Sequence, residues 1–252
     1  MNRKILYLLC LMCLLVSSPL YAKSKSSKDT PGSAIFVMSY AKEAYVSTKS
    51  FSYTSDFLAL DMKVPQIEGL TSRSFEKEIN KQLLRDAKLR KKNMINEAKL
   101  YNKDMIRDGL TPIKFEYLES YNIIPSPGPY LTIELFKYQY SGGAHGLSEL
   151  GYLTIDTEKN KIVQLSDLFK DNIDYTKLIN EQINEAIKLR MKQGEYFFVG
   201  ENGFISIKKD PLFYINKNNQ IVIVFNVYEI APYAAGPVQF PLNTDILLPY
   251  MK

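Results

Sequence analysis

The 252-residue chain has no tryptophan, one histidine and two cysteines, and each shortage removes a class of chemistry. One imidazole cannot build a His-rich zinc shell, and Cys10 and Cys13, both inside the apolar N-terminal run, cannot supply a Cys-rich one. With His145 as the sole imidazole there are few ways to pair a nucleophile with its base. The excess of positive charge is also small. Setting aside Arg3 and Lys4 of the N-terminal segment leaves 30 basic against 27 acidic residues, a formal charge of +3. That is too mild, and too evenly spread, for a phosphate-backbone partner. No repeat of 20 to 50 residues is present, which excludes solenoids and propellers.

What is present begins with an export signal. Asn2, Arg3 and Lys4 form a basic start, residues 5–16 an unbroken apolar run, and residues 17–22 a small-residue exit containing Pro19. The run is short for a bilayer span of about 20 residues. Cleavage is expected after Ala22, and the alternative is an uncleaved leader acting as an anchor. Either way the body is expected outside the cytoplasm. Leu9 and Met12 precede the two cysteines, so neither reads as a lipidation site. A Lys/Ser-rich stretch from 23 to about 34 is expected to be a flexible tether.

The body reads as α+β, in two modules of antiparallel sheet each covered by a long amphipathic helix, at 49–124 and 125–252. Residues 51–62 nearly alternate as a strand or hairpin, and Pro65 and Gly69 are expected to break the ladder. Phe75, Ile79, Leu83, Ala87, Met94, Ala98, Tyr101 and Met105 recur at helical spacing, with Ser74 as cap and Gly109 as terminator. The lysines on that helix suit either an acidic or membrane surface or plain solvation; interspersed acids favour solvation. Residues 113–121 alternate as a half-buried strand, and Pro125, Pro127 and Pro129 mark the expected boundary. Strands are expected at 130–140 and 149–156, with a hairpin into 161–164. A short helix capped by Ser166, a second long helix over 174–191, and a hairpin of 212–215 with 221–228 complete the second module.

Two loops hold the candidate site. Tyr140, Ser141, Gly142, Gly143, Ala144, His145 and Gly146 place the only imidazole in a glycine-rich turn. It lacks the lysine and hydroxyl of a phosphate loop. His145 is read either as a structural residue, giving one ring proton to a carbonyl or carboxylate, or as a base for Ser141 oriented by Glu229 or Asp156. The second loop runs Tyr228, Glu229, Ile230, Ala231, Pro232, Tyr233, Ala234, Ala235, Gly236, Pro237. Its prolines stiffen the backbone, while the tyrosines offer flat faces with polar tips. Either the tyrosines face a partner or they pack inward. Most of the 16 tyrosines beyond Tyr7 and Tyr21 fall at strand period, as sheet packing explains. No metal and no cofactor is expected.

These loops, with Gly151-Tyr152-Leu153-Thr154-Ile155-Asp156 and Leu165-Ser166-Asp167-Leu168-Phe169, resemble the RsiV-like extracellular domain. That domain forms the outer part of lysozyme-sensing anti-sigma-V factors and precedes the catalytic domain of PdaC-type peptidoglycan deacetylases. Val64-Pro65-Gln66-Ile67 and Phe75-Glu76-Lys77-Glu78-Ile79-Asn80 resemble the smaller module usually found before it. The resemblance spans residues 51–250. It implies recognition of a lysozyme-like muramidase or of wall glycan through Tyr140, Ser141, Gly142, Gly143, His145, Tyr228, Glu229, Pro232, Tyr233 and Pro237, without catalysis. The deacetylase domain and its metal-binding histidines are lacking from this sequence, as are an internal span and a sigma-binding segment. The expectation is therefore an exported binding module with a protein or peptidoglycan partner, and the alternative is a secreted envelope hydrolase using the His145 loop.

Overall fold

The computed structural model describes residues 44–252. The expected leader and tether, with Cys10 and Cys13, lie outside the described residues. Among the described residues the fold is α+β, with nine strands in two sheets. Strands β1 (Tyr45–Thr54) and β2 (Leu58–Glu68) form an antiparallel hairpin. In β2 the alternate residues Leu58, Leu60, Met62 and Val64 are buried, as the period of two requires of a strand with one covered face.

Contrary to expectation, Pro65 does not end this strand: β2 continues to Glu68, with Pro65 opposite Thr48. The reason lies in the neighbouring edge. Strand β3 (Phe115–Ile124) pairs with β2 only as far as Met62↔Glu119. Beyond that point the outer edge of β2 has no strand beside it. Ile67 turns its N–H and C=O outward to the Asn80 side chain, at 2.8 and 2.7 Å, and Pro65, two residues away, faces the same side. An edge without a ladder loses nothing from a missing N–H.

Helix α1 (Arg73–Arg107) follows a turn at Gly69, whose φ is +88°. Its cap is Ser72, two residues before the expected Ser74, and Gly109 at φ +72° closes the far end. Ala87, Met94 and Ala98 of its buried stripe are set against Leu58, Leu60, Met62, Phe115 and Tyr117, while Ile79 packs with Ile67, Leu70, Ile133 and Ile155. Burying each large side chain contributes about 1.5–3 kcal/mol. The helix carries the chain across to β3, which runs parallel to β2. One parallel pair thus interrupts an otherwise antiparallel sheet, because a 35-residue crossover returns the chain to the same end.

The proline-rich segment 125–129 is a hairpin loop. Strand β3 pairs antiparallel with β4 (Tyr130–Tyr140), then come β5 (Leu147–Asp156) and the short β6 (Lys161–Ile162). The first sheet is therefore six-stranded and continuous across the expected boundary at 124/125. The second sheet is smaller. Helix α2 (Tyr175–Lys192), capped by Asp174, buries Ile179 and Ile183 against β7 (Leu212–Ile215), β8 (Ile221–Phe225) and β9 (Val238–Pro241). All five residues of β8 are buried, and it is the middle strand. A single 3-10 turn at Leu165–Leu168 is capped by Gln164 and Asp167 rather than by Ser166, and the chain closes with α3 (Thr244–Leu247). Among the described residues no helix is long and apolar enough to cross a membrane.

Candidate functional site

The turn between β4 and β5 is built by close packing. Gly142 and Gly143 take φ of +103° and +91°, a region that favours glycine. Gly146 has a different reason: a Cβ there would lie 2.5 Å from the Tyr138 ring, so the ring fits only over a bare backbone. The Tyr140 hydroxyl donates to the Gly143 carbonyl at 3.2 Å and ties the turn to its strand. His145 Nδ1 lies 2.9 Å from the Gly146 carbonyl. A carbonyl only accepts, so Nδ1 carries the proton and Nε2 is the acceptor. The Tyr228 hydroxyl then donates to Nε2 across 3.4 Å.

The second loop is anchored at both ends in the smaller sheet's core, through buried Ile230, Ala231 and Val238. The Ile230 carbonyl accepts from Phe198 N at 2.8 Å. Pro232 begins a 3-10 turn over Tyr233–Ala235, and Gly236 leaves it at φ +66°. Behind the turn, Arg190 lies 5.2 Å from the centroids of Phe197 and Phe240 and is held by Glu195 at 2.5 Å. Pro232 lines this supporting face, while Pro237 is half-buried at the loop's exit. Tyr228 is a non-glycine residue at φ +65°, and the turn before the loop holds it there. Glu229 accepts from Asn226 N at 2.9 Å within that turn.

The two loops meet. His145 and Tyr233 stack with centroids 4.3 Å apart at 19°, and Tyr228 leans on Tyr233 at 5.6 Å. Tyr228 is 49% exposed, so the rings form a platform open to solvent. Of the expected residues, Tyr140, Gly142, Gly143, His145, Tyr228, Pro232 and Tyr233 build or brace this platform. Ser141 makes no side-chain bond to His145 among the described residues.

The expected hydrolase set does not assemble. Asp156 sits at the other end of β5, about 30 Å along the strand from the His145 turn, where it accepts from Glu158 N and Lys159 N. Glu229 is engaged by Lys208 and by Asn226 N. Neither carboxylate holds the imidazole, whose protonated nitrogen is already given to a backbone carbonyl. Among the described residues no group of three His, Cys, Asp or Glu is placed to hold a metal.

Asn226 is the residue that sequence reading missed. Its carboxamide bonds both backbone groups of Leu150, accepting from N at 2.7 Å and donating to O at 3.1 Å. It thereby imitates a neighbouring strand and locks the Tyr228 turn beside β5. The only hint in the sequence is a polar amide directly after the apolar run 221–225. Nearby, buried Glu119 is held by Arg90 and by the Tyr117 hydroxyl at 2.5 Å. Burial opposes the Arg90 charge, but the bond and the charge of Glu119 outweigh it and raise its pKa.

Two family models match separate stretches of the chain. Residues 37–148 match the family described as deacetylase PdaC, and residues 166–245 match a family described as a protein of unknown function, DUF3298. The chain is 26% identical over 197 residues to the anti-sigma-V factor RsiV of Bacillus subtilis strain 168, covering 76% of this chain and 65% of that protein. A crystal structure of a DUF3298 family member from Bacteroides fragilis NCTC 9343 superposes with a TM-score of 0.65 at 16% identity, covering 84% of this chain and 95% of that one. A DUF3298 family protein from Pseudomonas aeruginosa PAO1 superposes with a TM-score of 0.53 at 14% identity, covering 83% and 94%. These structures share the fold. The chain thus carries a region similar to the PdaC family followed by a region similar to the DUF3298 family, and its resemblance is to the RsiV-like extracellular domain.

Proposed function

We propose that this protein is a non-catalytic binding module of the bacterial cell envelope that grips a lysozyme-like muramidase through the His145, Tyr228 and Tyr233 platform. The observation that carries the reading is the convergence of two stiff loops, 83 residues apart at His145 and Tyr228, on one open aromatic surface. Protein recognition favours rigid aromatic anchors on a patch of about 800 Å² per partner, because little side-chain freedom is lost on contact. The resemblance to the anti-sigma-V factor gives the partner's kind. Export by the N-terminal leader and action in the envelope belong to the same reading.

A second reading, wall glycan as ligand, is favoured by one feature: the exposed face of Tyr228 beside the stacked His145 and Tyr233 suits the apolar face of a sugar ring. Both readings are tested by passing the purified protein over immobilised lysozyme and, in parallel, over insoluble peptidoglycan. Retention on lysozyme that is lost in the Tyr228→Ala, Tyr233→Ala double variant supports the first reading. Retention on peptidoglycan alone supports the second, and retention on neither ends both.

A further inference from the structure

Asn202 is the only asparagine in the chain that glycine follows. It is exposed, it ends the 3-10 turn Gly200–Asn202, and its carboxamide has no partner among the described residues. The carboxamides of Asn80, Asn102 and Asn226, by contrast, are bound to backbone groups. The glycine matters because a side chain at the following position would shield the backbone nitrogen, and Gly203 has none. The bond that closes the turn runs from Gly203 N to the Gly200 carbonyl at 3.0 Å. While it holds, that N–H is committed to the carbonyl. Short 3-10 turns have poor hydrogen-bond geometry, and here the flanking Val199 and Ile205 are 69% and 72% exposed, so little packing opposes opening.

We propose that Asn202 is a site of self-modification, at which the opened turn converts its own asparagine to isoaspartate or aspartate and, as isoaspartate, loosens the second candidate loop. The Gly203 nitrogen attacks the side-chain carbonyl carbon of Asn202 and closes a succinimide ring, while the bond from that carbon to the carboxamide nitrogen breaks. The departing nitrogen takes the Gly203 amide proton and leaves as ammonia. Water then opens the ring. Attack at the side-chain carbonyl gives aspartate, and attack at the main-chain carbonyl leaves the chain running through Cβ and Cγ, as isoaspartate, one atom longer. Asp108-Gly109 can close the same ring, but its carboxylate is held by Arg107 at 2.9 Å and a charged oxygen is the poorer leaving group. The added atom at 202 has no room. A Cβ on Gly203 would lie 2.5 Å from the Phe198 carbonyl oxygen, so the two backbones already pass in close contact. Phe198 N in turn donates to the Ile230 carbonyl at 2.8 Å, where the Tyr228 to Pro237 loop is anchored. Aspartate keeps the length of the backbone and leaves that anchor in place. None of this depends on what the platform binds.

The test is to age the purified full chain in warm, mildly alkaline buffer, both native and unfolded in guanidinium, and to follow each tryptic peptide by mass spectrometry. Peptide 193–208 has Asn202 as its only asparagine. In the native chain it should gain the mass of NH2 replaced by OH, located at residue 202 by fragmentation, at least tenfold faster than any other asparagine-containing peptide. The native rate should lie within tenfold of the unfolded one, since the turn opens readily. Asn202→Gln, which must close a larger ring, should slow the conversion at least tenfold. Hydrogen exchange at the Phe198 amide should be several-fold faster in the aged chain than in Asn202→Asp, which has the new charge without the added atom. A native chain whose residue 202 stays unconverted while the unfolded chain reacts, or in which another asparagine converts first, overturns the proposal. So does equal Phe198 exchange in the isoaspartate form and Asn202→Asp.

Discussion

Gly146 and His145 show how much depends on single atoms. A methyl group at position 146 would collide with the Tyr138 ring, so the ring or the turn would have to shift. Gly146→Ala is expected to destabilise the fold by about 1–3 kcal/mol through overpacking, read as a lower urea midpoint. It should also loosen the His145–Tyr233 stack and so weaken partner retention. His145→Ala has a different expected outcome. The ring is stacked and bonded at the surface, and no core residue depends on it, so the fold should persist with several-fold weaker binding. If the chain instead hydrolysed wall material and lost that activity completely in His145→Ala, the binding reading would fall.

At the scale of elements, asparagine carboxamides repeatedly take the place of a missing strand or turn. Asn80 serves Ile67, Asn226 serves Leu150, and buried Asn102 in α1 accepts from Ile113 N at 2.6 Å and donates to Ile113 O at 2.8 Å. Asn102→Ala would leave two backbone groups unsatisfied beneath the helix and should cost about 1–3 kcal/mol, measurable by chemical denaturation. Asn226→Ala should speed hydrogen exchange at the Leu150 amide and weaken partner binding by freeing the Tyr228 turn. The junction between the sheets carries a pH signature as well. Burial first, and then its bond at 2.8 Å to the Glu134 carboxylate, raise the Tyr152 phenol well above its ordinary 10.0. A raised pKa means the folded chain holds that proton more tightly, so this contribution is complete below pH 10 and is lost as pH rises further. Tyr152→Phe should therefore flatten the decline of stability above pH 10 relative to the parent chain, as followed by urea midpoints across alkaline pH.

For the whole molecule, charge makes a prediction about rates. Setting aside Arg3 and Lys4, the chain carries only +3, and the two acids nearest the platform are already paired, Glu229 with Lys208 and Glu149 with Lys137. A basic muramidase would meet no attractive long-range field. Association should run in the ordinary unsteered range of about 10⁵–10⁶ M⁻¹s⁻¹ and change little with ionic strength in surface-plasmon kinetics. A steep fall of the association rate with salt would contradict the aromatic-anchor account.

The sequence alone determined the parts that depend on local rules. Helical period placed α1 and α2, strand period placed β4, and positive-φ glycines with stiff prolines marked the two loops, because each signal acts over a few neighbouring residues. Only the tertiary structure decided how those parts are shared out. It drew β4 through β6 into the first sheet across the proline loop, set β3 parallel to β2, kept Pro65 in a strand by leaving its outer edge free, and carried Asp156 to the far end from His145. Strand partners and edges are contacts between residues distant in the chain, and no periodicity encodes them. The meeting of His145 with Tyr233 is of the same kind, since it rests on Asn226 closing against Leu150 across 76 residues.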